Sequence, residues 1–208
     1  MDKLDLDLFK MGYFIVYKNN LGGFIGEAIE ETQRHVGFDK KDSRFVHVEC
    51  SGGGPRSVNI RHPKSTAIDI RDAHAGRYIK LVKFKAYDDA PEKDRFKVAY
   101  NSALLCNLPY DWLGVLKFRL RFLSNKKTLP FCSEGCLWSL QGVFKGALGV
   151  DPPNCMPADF LNLDWFEVVW EGFIPGAPKK KSPWKILGIN RTPGGTKLKH
   201  GIMITKTF

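Results

Sequence analysis

Thr128-Leu129-Pro130-Phe131-Cys132-Ser133-Glu134 is the stretch on which the reading of this chain turns. A short turn ends at Pro130 and an apolar-periodic run follows, so the spacing predicts a helix from Gly135 to Gly146 with Cys132 at its entrance. The first N–H groups of a helix lack partners within it, and the positive end of the macrodipole lies there. A thiol in that field ionises below its ordinary range and supplies a nucleophile near neutral pH. An arbitrary buried cysteine behaves as a small apolar residue, so the reading needs a proton acceptor elsewhere in the chain.

Upstream, Arg44-Phe45-Val46-His47-Val48-Glu49-Cys50 is followed by Ser51-Gly52-Gly53-Gly54-Pro55 and then by Arg56-Ser57-Val58-Asn59-Ile60. Two β-branched or aromatic runs around a glycine-proline cluster predict a β-hairpin. His47 falls early in its first strand and Asn59 in its second, where the two can share one face as cross-strand neighbours. A cysteine at a helix start, a strand histidine and a polar residue beside it are the parts of a Cys-His-polar triad. The thiolate attacks, the imidazole shuttles the proton and the third group fixes the imidazole tautomer. Asn59 is the expected third member. His62 and Glu49 are the substitutes if the register differs, and Glu49 shares His47's face by the two-residue alternation of a strand.

The order of these segments resembles the circularly permuted NlpC/P60 enzymes, the papain-like group called YiiX-like, with lecithin-retinol acyltransferases among its relatives. Lys10-Met11-Gly12-Tyr13-Phe14-Ile15-Val16 resembles the opening Gly-Asp-Ile-Leu strand, with Tyr13 where the family usually has an acid. Phe45-Val46-His47-Val48 resembles the Ser-His-Val strand, and Tyr110-Asp111-Trp112-Leu113-Gly114 the segment before the cysteine helix. Met156-Pro157-Ala158-Asp159-Phe160-Leu161 resembles the Ser/Thr-Pro-x-Asp-Leu segment after it. The likeness spans residues 8 to 170. It implies an α+β papain-like fold in which an antiparallel sheet packs against the helix bearing the nucleophile. Asn59 departs from the histidine or glutamate that the family often carries. The resemblance also implies amide hydrolysis, with the peptidoglycan stem peptide as the leading substrate.

Composition fits one catalytic domain. At 208 residues the chain supports a single core. Its 43% hydrophobic and 26% charged residues are those of a globular protein rather than a disordered one. No window approaches the ~18 consecutive apolar residues of a membrane span. The acidic-apolar opening Met1-Asp2-Lys3-Leu4-Asp5-Leu6-Asp7 lacks the basic and apolar regions of a Sec signal, so synthesis in the cytoplasm is expected. Cysteines 50, 106, 132, 136 and 155 are odd in number and lack ligand spacing, which argues against a disulfide framework and for folding in a reducing compartment. Cys132, Cys136 and His47 do not complete a tetrahedral metal set, so no metal or cofactor is expected.

Along the chain, the patterns predict a strand over 12–18, a helix over 22–35, the hairpin over 44–61 and a strand over 67–70. A strand over 78–84 has basic residues on one solvated face, a helix follows Pro91 to Leu104, and a closing strand covers 165–170. The domain is expected to span 1–175. Beyond it, residues 176–208 carry eight Lys or Arg and no Asp or Glu. This basic C-terminal extension accounts for most of the chain's net charge of +10, and it suits contact with a polyanion or an anionic surface.

The expected mechanism runs through Cys132 as nucleophile and His47 as proton shuttle, with Asn59 (or His62) orienting the ring. The backbone N–H of Cys132 supplies part of an oxyanion hole, and Tyr13 is a candidate second donor or cleft wall. Three functions follow in order. The first is a peptidoglycan endopeptidase or amidase, reaching the envelope by lysis, a phage route or contact-dependent delivery as an antibacterial effector, the last paired with an immunity or inhibitor protein. The second is a lipid acyltransferase or deacylase using the same triad. The third is a non-catalytic polyanion-binding module acting through 176–208.

Overall fold

A computed structural model of the chain describes residues 4–19, 24–61, 63–111 and 130–176. His62, the segment 112–129 and the extension from 177 onward lie outside the described residues. The predicted hairpin forms as β2 (Phe45–Gly53) and β3 (Arg56–Asn59). Gly53 and Gly54 carry its turn with φ of +94° and +55°, a region closed to most side chains, which is why the turn is written in glycine. Ahead of the hairpin come β1 (Phe14–Lys18) and α1 (Phe24–His35). After it follow β4 (Thr66–Asp69), the single turn α2 (Ile70–Ala73), β5 (Tyr78–Phe84), α3 (Glu92–Leu104), α4 (Cys132–Gln141) and β6 (Phe166–Phe173). The fold is mixed α+β, with one antiparallel sheet among the described residues in the order β4-β3-β2-β1-β5-β6.

Both faces of the sheet's middle are covered. On one side Phe14, Val16, Val48, Cys50, Val82 and Phe84 meet Cys136, Leu137 and Leu140 of α4, together with Phe160. On the other, Ile15, Tyr17, Ile79 and Leu81 meet Phe9, Ile70 and Ile174. The burial of β1 on both faces explains its unbroken run Phe-Ile-Val-Tyr, since alternation is needed only where one face is wet. The same covering corrects the expectation for β5. Lys80 lies on the α4 side and is only 7% exposed, so the basic positions of this strand do not define a solvated face.

Helix α4 stops at Gln141, short of the Gly146 expected from the apolar pattern. Gly142 is a weak helix former, the chain turns through Val143 and Phe144 onto the Leu140 carbonyl, and Gly146 sits at φ +73°. The Gln141 side chain holds the turn by donating to the Ala147 and Val150 carbonyls at 2.9 and 3.0 Å. At its start, Phe131 is extended and its N–H donates to Glu134 Oε2 at 3.4 Å. Gly135 allows α4 to approach closely, because a Cβ there would collide with Ile60 Cδ1.

Candidate active site

The strand β3 ends at Asn59, before it reaches the level of Val48 on β2. Past that point one side of β2 has main-chain groups without a strand partner, and the start of α4 occupies the gap. The Val48 N–H bonds the Cys132 sulfur, and the Val48 carbonyl accepts from Cys136 Sγ at 3.9 Å. The first turn of α4 is tied down from its other side by Ser133 Oγ, which donates to the Cys155 carbonyl at 2.7 Å. Cys132 is buried, with 3% of its surface exposed.

His47 and Cys132 share a side-chain hydrogen bond. The other ring nitrogen, Nε2, lies 3.1 Å from Glu49 Oε1 and 3.2 Å from Asn59 Oδ1, which leaves Nδ1 for the sulfur. The hairpin register accounts for this: Ser51 pairs with Ser57, so His47, Glu49 and Asn59 share one face. Burial alone would push the Cys132 thiol up. The charge and hydrogen bond of His47, with the N–H groups of Val48 and Ser133, outweigh burial and bring it below its ordinary value. Burial likewise opposes the charged His47 ring, but the Cys132 thiolate and then Glu49 raise the imidazole from 6.5 to about 9. The two shifts favour the same state, a thiolate beside an imidazolium.

Glu49 is fully buried and holds the deepest part of the site. Its Oε2 accepts from Tyr17 Oη at 2.9 Å and from Ser57 Oγ at 2.5 Å. Its Oε1 accepts from His74 Nε2 at 2.7 Å as well as from His47. Burial would raise this carboxyl, but His74 and His47 bring it well below the carboxylate range. His74 enters from the C-cap of α2, a turn whose start is fixed by Asp69 Oδ1 accepting from the Arg71 N–H at 2.9 Å. Burial lowers the His74 pKa against the pull of Glu49, so this ring is neutral at pH 7 and donates through Nε2. Its Nδ1 then accepts from Arg77 Nη1 at 3.3 Å, and the Arg77 guanidinium also lies 4.8 Å from the Tyr17 ring centre. With the thiolate and imidazolium formed, Cys132, His47, Glu49 and Arg77 make a row of two negative and two positive charges with no net charge. That balance is how buried ions are tolerated.

Beside the sulfur is a cleft walled by Ile29 and Thr32 of α1, Tyr110, Phe131, Met156 and Pro157. Gln33 sets the distance between its walls. The Gln33 amide nitrogen donates to the Ser43 and Phe45 carbonyls at 2.7 and 2.9 Å, and its oxygen accepts from the Ala158 N–H at 2.9 Å. Asp159 caps the Pro157–Leu161 turn by accepting from the Met156 N–H at 2.7 Å.

Among the residues singled out in sequence, the structure brings together Cys132, His47, Asn59 and Glu49. It does not bring Tyr13 to them. Tyr17 pairs with His47, so Tyr13 lies four residues and about 13 Å away along β1 at about 3.3 Å per residue. There it stacks on Tyr87 with ring centres 6.2 Å apart. The tyrosine on the cleft is Tyr110, whose hydroxyl pKa is raised by burial and then by the Cys132 and Asp111 charges. His62 lies outside the described residues, as do Trp112-Leu113-Gly114 and the extension from 177 onward. Tyr17, Ser57, His74 and Arg77 were not anticipated. The signal for them was Glu49 itself, since an acid inside an apolar strand run needs donors and a counter-charge.

All five cysteines are free thiols. Among the described residues, no His, Cys, Asp and Glu cluster is arranged to hold a metal ion, and no helix is long and apolar enough to cross a membrane. No protein-family model, curated protein or solved structure matches the chain.

Proposed function

We propose that the chain is a cysteine hydrolase of papain-like, permuted NlpC/P60 type. The observation that carries this reading is the Cys132–His47 pair, buttressed at Nε2 by both Glu49 and Asn59. Cys132 Sγ attacks a carbonyl carbon as the thiolate, and the electron pair moves to the carbonyl oxygen. The N–H of Cys132, a first-turn donor of α4, stabilises that oxygen, a contribution of roughly 3–4 kcal/mol in comparable sites. Collapse of the tetrahedral species breaks the bond to the leaving nitrogen or oxygen, which takes the proton from His47. Neutral His47 then removes a proton from water, the hydroxide attacks the thioester, and the carboxylic acid leaves as the thiolate and imidazolium re-form. Glu49 and Asn59 keep the ring in position through both half-reactions. From the thiolate–imidazolium state that the two shifts favour, His47 acts first as an acid and only later as a base.

The resemblance gives the amide bonds of peptidoglycan stem peptides as the leading substrate. A second reading, deacylation or acyl transfer on lipids with the same thiol, is favoured by the apolar character of Ile29, Phe131, Met156 and Pro157 beside it. Incubation with purified sacculi and with phospholipid vesicles, followed by mass spectrometry of the products, tests both. Release of stem-peptide fragments supports the first, and release of fatty acid or lysolipid supports the second. Either activity must vanish in Cys132→Ala and His47→Ala. Turnover of neither substrate, or turnover that persists without Cys132, would overturn the proposal.

A further inference from the structure

A second cavity lies at the ends of β1, β2 and β5, separate in lining from the thiol cleft. It is open to solvent and has a volume of about 340 Å³. Lys18, the last residue of β1, and Lys80 of β5 contribute from the sheet, while Lys40, Lys41 and Arg44 come from the loop between α1 and β2. Tyr78 and Phe45 provide aromatic walls, with the Lys18 ammonium 5.2 Å from the Tyr78 ring centre and the Lys80 ammonium 5.0 Å from that of Phe45.

Two carboxylates answer these five cations. Glu171 lies opposite Lys80 in the β5–β6 register and lines the cavity. Asp42 Oδ1 stands 3.8 Å from Lys80 Nζ, at the outer limit of an ion pair and beyond hydrogen-bond contact. Cations therefore exceed carboxylates by three in one concavity. The Lys80 side chain is nine-tenths buried, at 9% exposure, so its charge is not dispersed into bulk water. Gathered like charges repel, and most of all where one of them is shielded from solvent.

We propose that this cavity binds a ligand bearing a phosphate or polyphosphate group. A single carboxylate cancels one charge, whereas each phosphate brings about −1.5 to −2 at neutral pH and three acceptor oxygens, so a di- or triphosphate matches the excess. Arg44 offers the planar fork that engages phosphate oxygens in pairs, and the lysines offer point charges around it. The same chemistry is presented by a soluble polyphosphate and by a phosphorylated lipid headgroup. The inference is independent of the cysteine hydrolase reading, because no residue of the cavity belongs to the Cys132–His47–Glu49 row.

The test uses the full chain and two probes, inorganic pyrophosphate by calorimetry and vesicles containing a phosphatidylinositol bisphosphate by sedimentation. The site variant is Lys41→Glu with Arg44→Glu, both exposed positions whose change leaves the sheet intact. The control is Lys93→Glu with Lys97→Glu on α3, which makes the same change in net charge far from the cavity lining. Lys80→Met, which keeps the buried stem and removes the charge, is a second site variant. A tenfold or greater loss of affinity in the site variants, with the control unchanged, is expected. Loss on pyrophosphate identifies a soluble ligand, and loss on vesicles alone identifies a headgroup. Equal weakening in site and control variants, or no binding of either probe, overturns the proposal. Cys132→Ala should retain full binding, so this inference and the hydrolase reading are tested separately.

Discussion

Replacing Cys132 by alanine removes the main source of the field that keeps His47 charged. The imidazole is held at about 9 against an ordinary 6.5, a preference for the charged ring of roughly 3 kcal/mol at about 1.4 kcal/mol per pH unit. Burial works against that preference. What overcomes burial is first the Cys132 thiolate and its hydrogen bond, and only then the Glu49 hydrogen bond and charge. In Cys132→Ala the burial cost remains and Glu49 alone opposes it, so the His47 pKa should fall by more than about one pH unit, upward of roughly 1.4 kcal/mol. Asn59→Ala, which removes a neutral acceptor, should move it less. The assay is an NMR titration of ring-labelled histidine over about pH 5 to 10, a range bracketing the ordinary and shifted imidazole. His47→Gln assigns the signal among the five histidines. A His47 that still titrates near 9 without Cys132 would refute the ion-pair argument.

The other expectations concern the same row and its supports. Near pH 7 iodoacetamide should label Cys132 ahead of Cys106, and both ahead of Cys50, which burial pushes up to about 12; peptide mapping that finds another order contradicts the lowered thiol. Turnover should decline as pH rises through about 9, where His47 loses its proton, while alkylation of the thiolate persists. Glu49→Gln leaves several buried donors facing an amide that accepts through one oxygen only. It should cost about 3–5 kcal/mol and lower Tm by about 6–20 °C for a chain of this size, and a calorimetric change under ~1 kcal/mol would contradict the network. The His74 and Glu49 pKa values are both lowered on folding, so their contributions are full above 6.5 and 4.5 respectively and are lost as pH falls through the folded values. His47 has the opposite sign, its contribution full below 6.5 and lost as pH rises through about 9. The urea midpoint should therefore drop in acid less steeply in His74→Phe than in the native chain. Gly135→Ala gains helix propensity but drives a methyl into Ile60, and a net loss of about 1–3 kcal/mol is expected in urea titration.

Much of the site was legible because it is local. Strand alternation put His47 and Glu49 on one face, the glycine turn folded Asn59 back toward them, and the turn ending at Pro130 put Cys132 at the entrance of a helix, which begins at Cys132 itself rather than at the expected Gly135. The charged row beneath was hidden because its members meet only through the sheet. No periodicity links His74 and Arg77, on and after a one-turn helix, to a carboxylate on β2. Tyr13 was misjudged for a related reason: position in a motif says nothing of distance along a strand, and the register sets Tyr17 beside His47 instead. For β5, the alternation of Lys80 and Lys83 with apolar residues signalled a wet face. Coverage of both sides of the sheet overrode it.

The Gln33 carboxamide has one more implication. Its nitrogen meets two carbonyls and its oxygen meets an amide N–H, so the group can point only one way, and a glutamate of the same outline would turn an oxygen toward the Ser43 and Phe45 carbonyls. The spacing between the α1 wall of the thiol groove and the Met156–Ala158 wall is thus gauged by one planar group rather than by bulk. Shortening it to asparagine would change the width of the groove while leaving the Cys132–His47 pair in place, so under the hydrolase proposal it would alter substrate range before reaction chemistry.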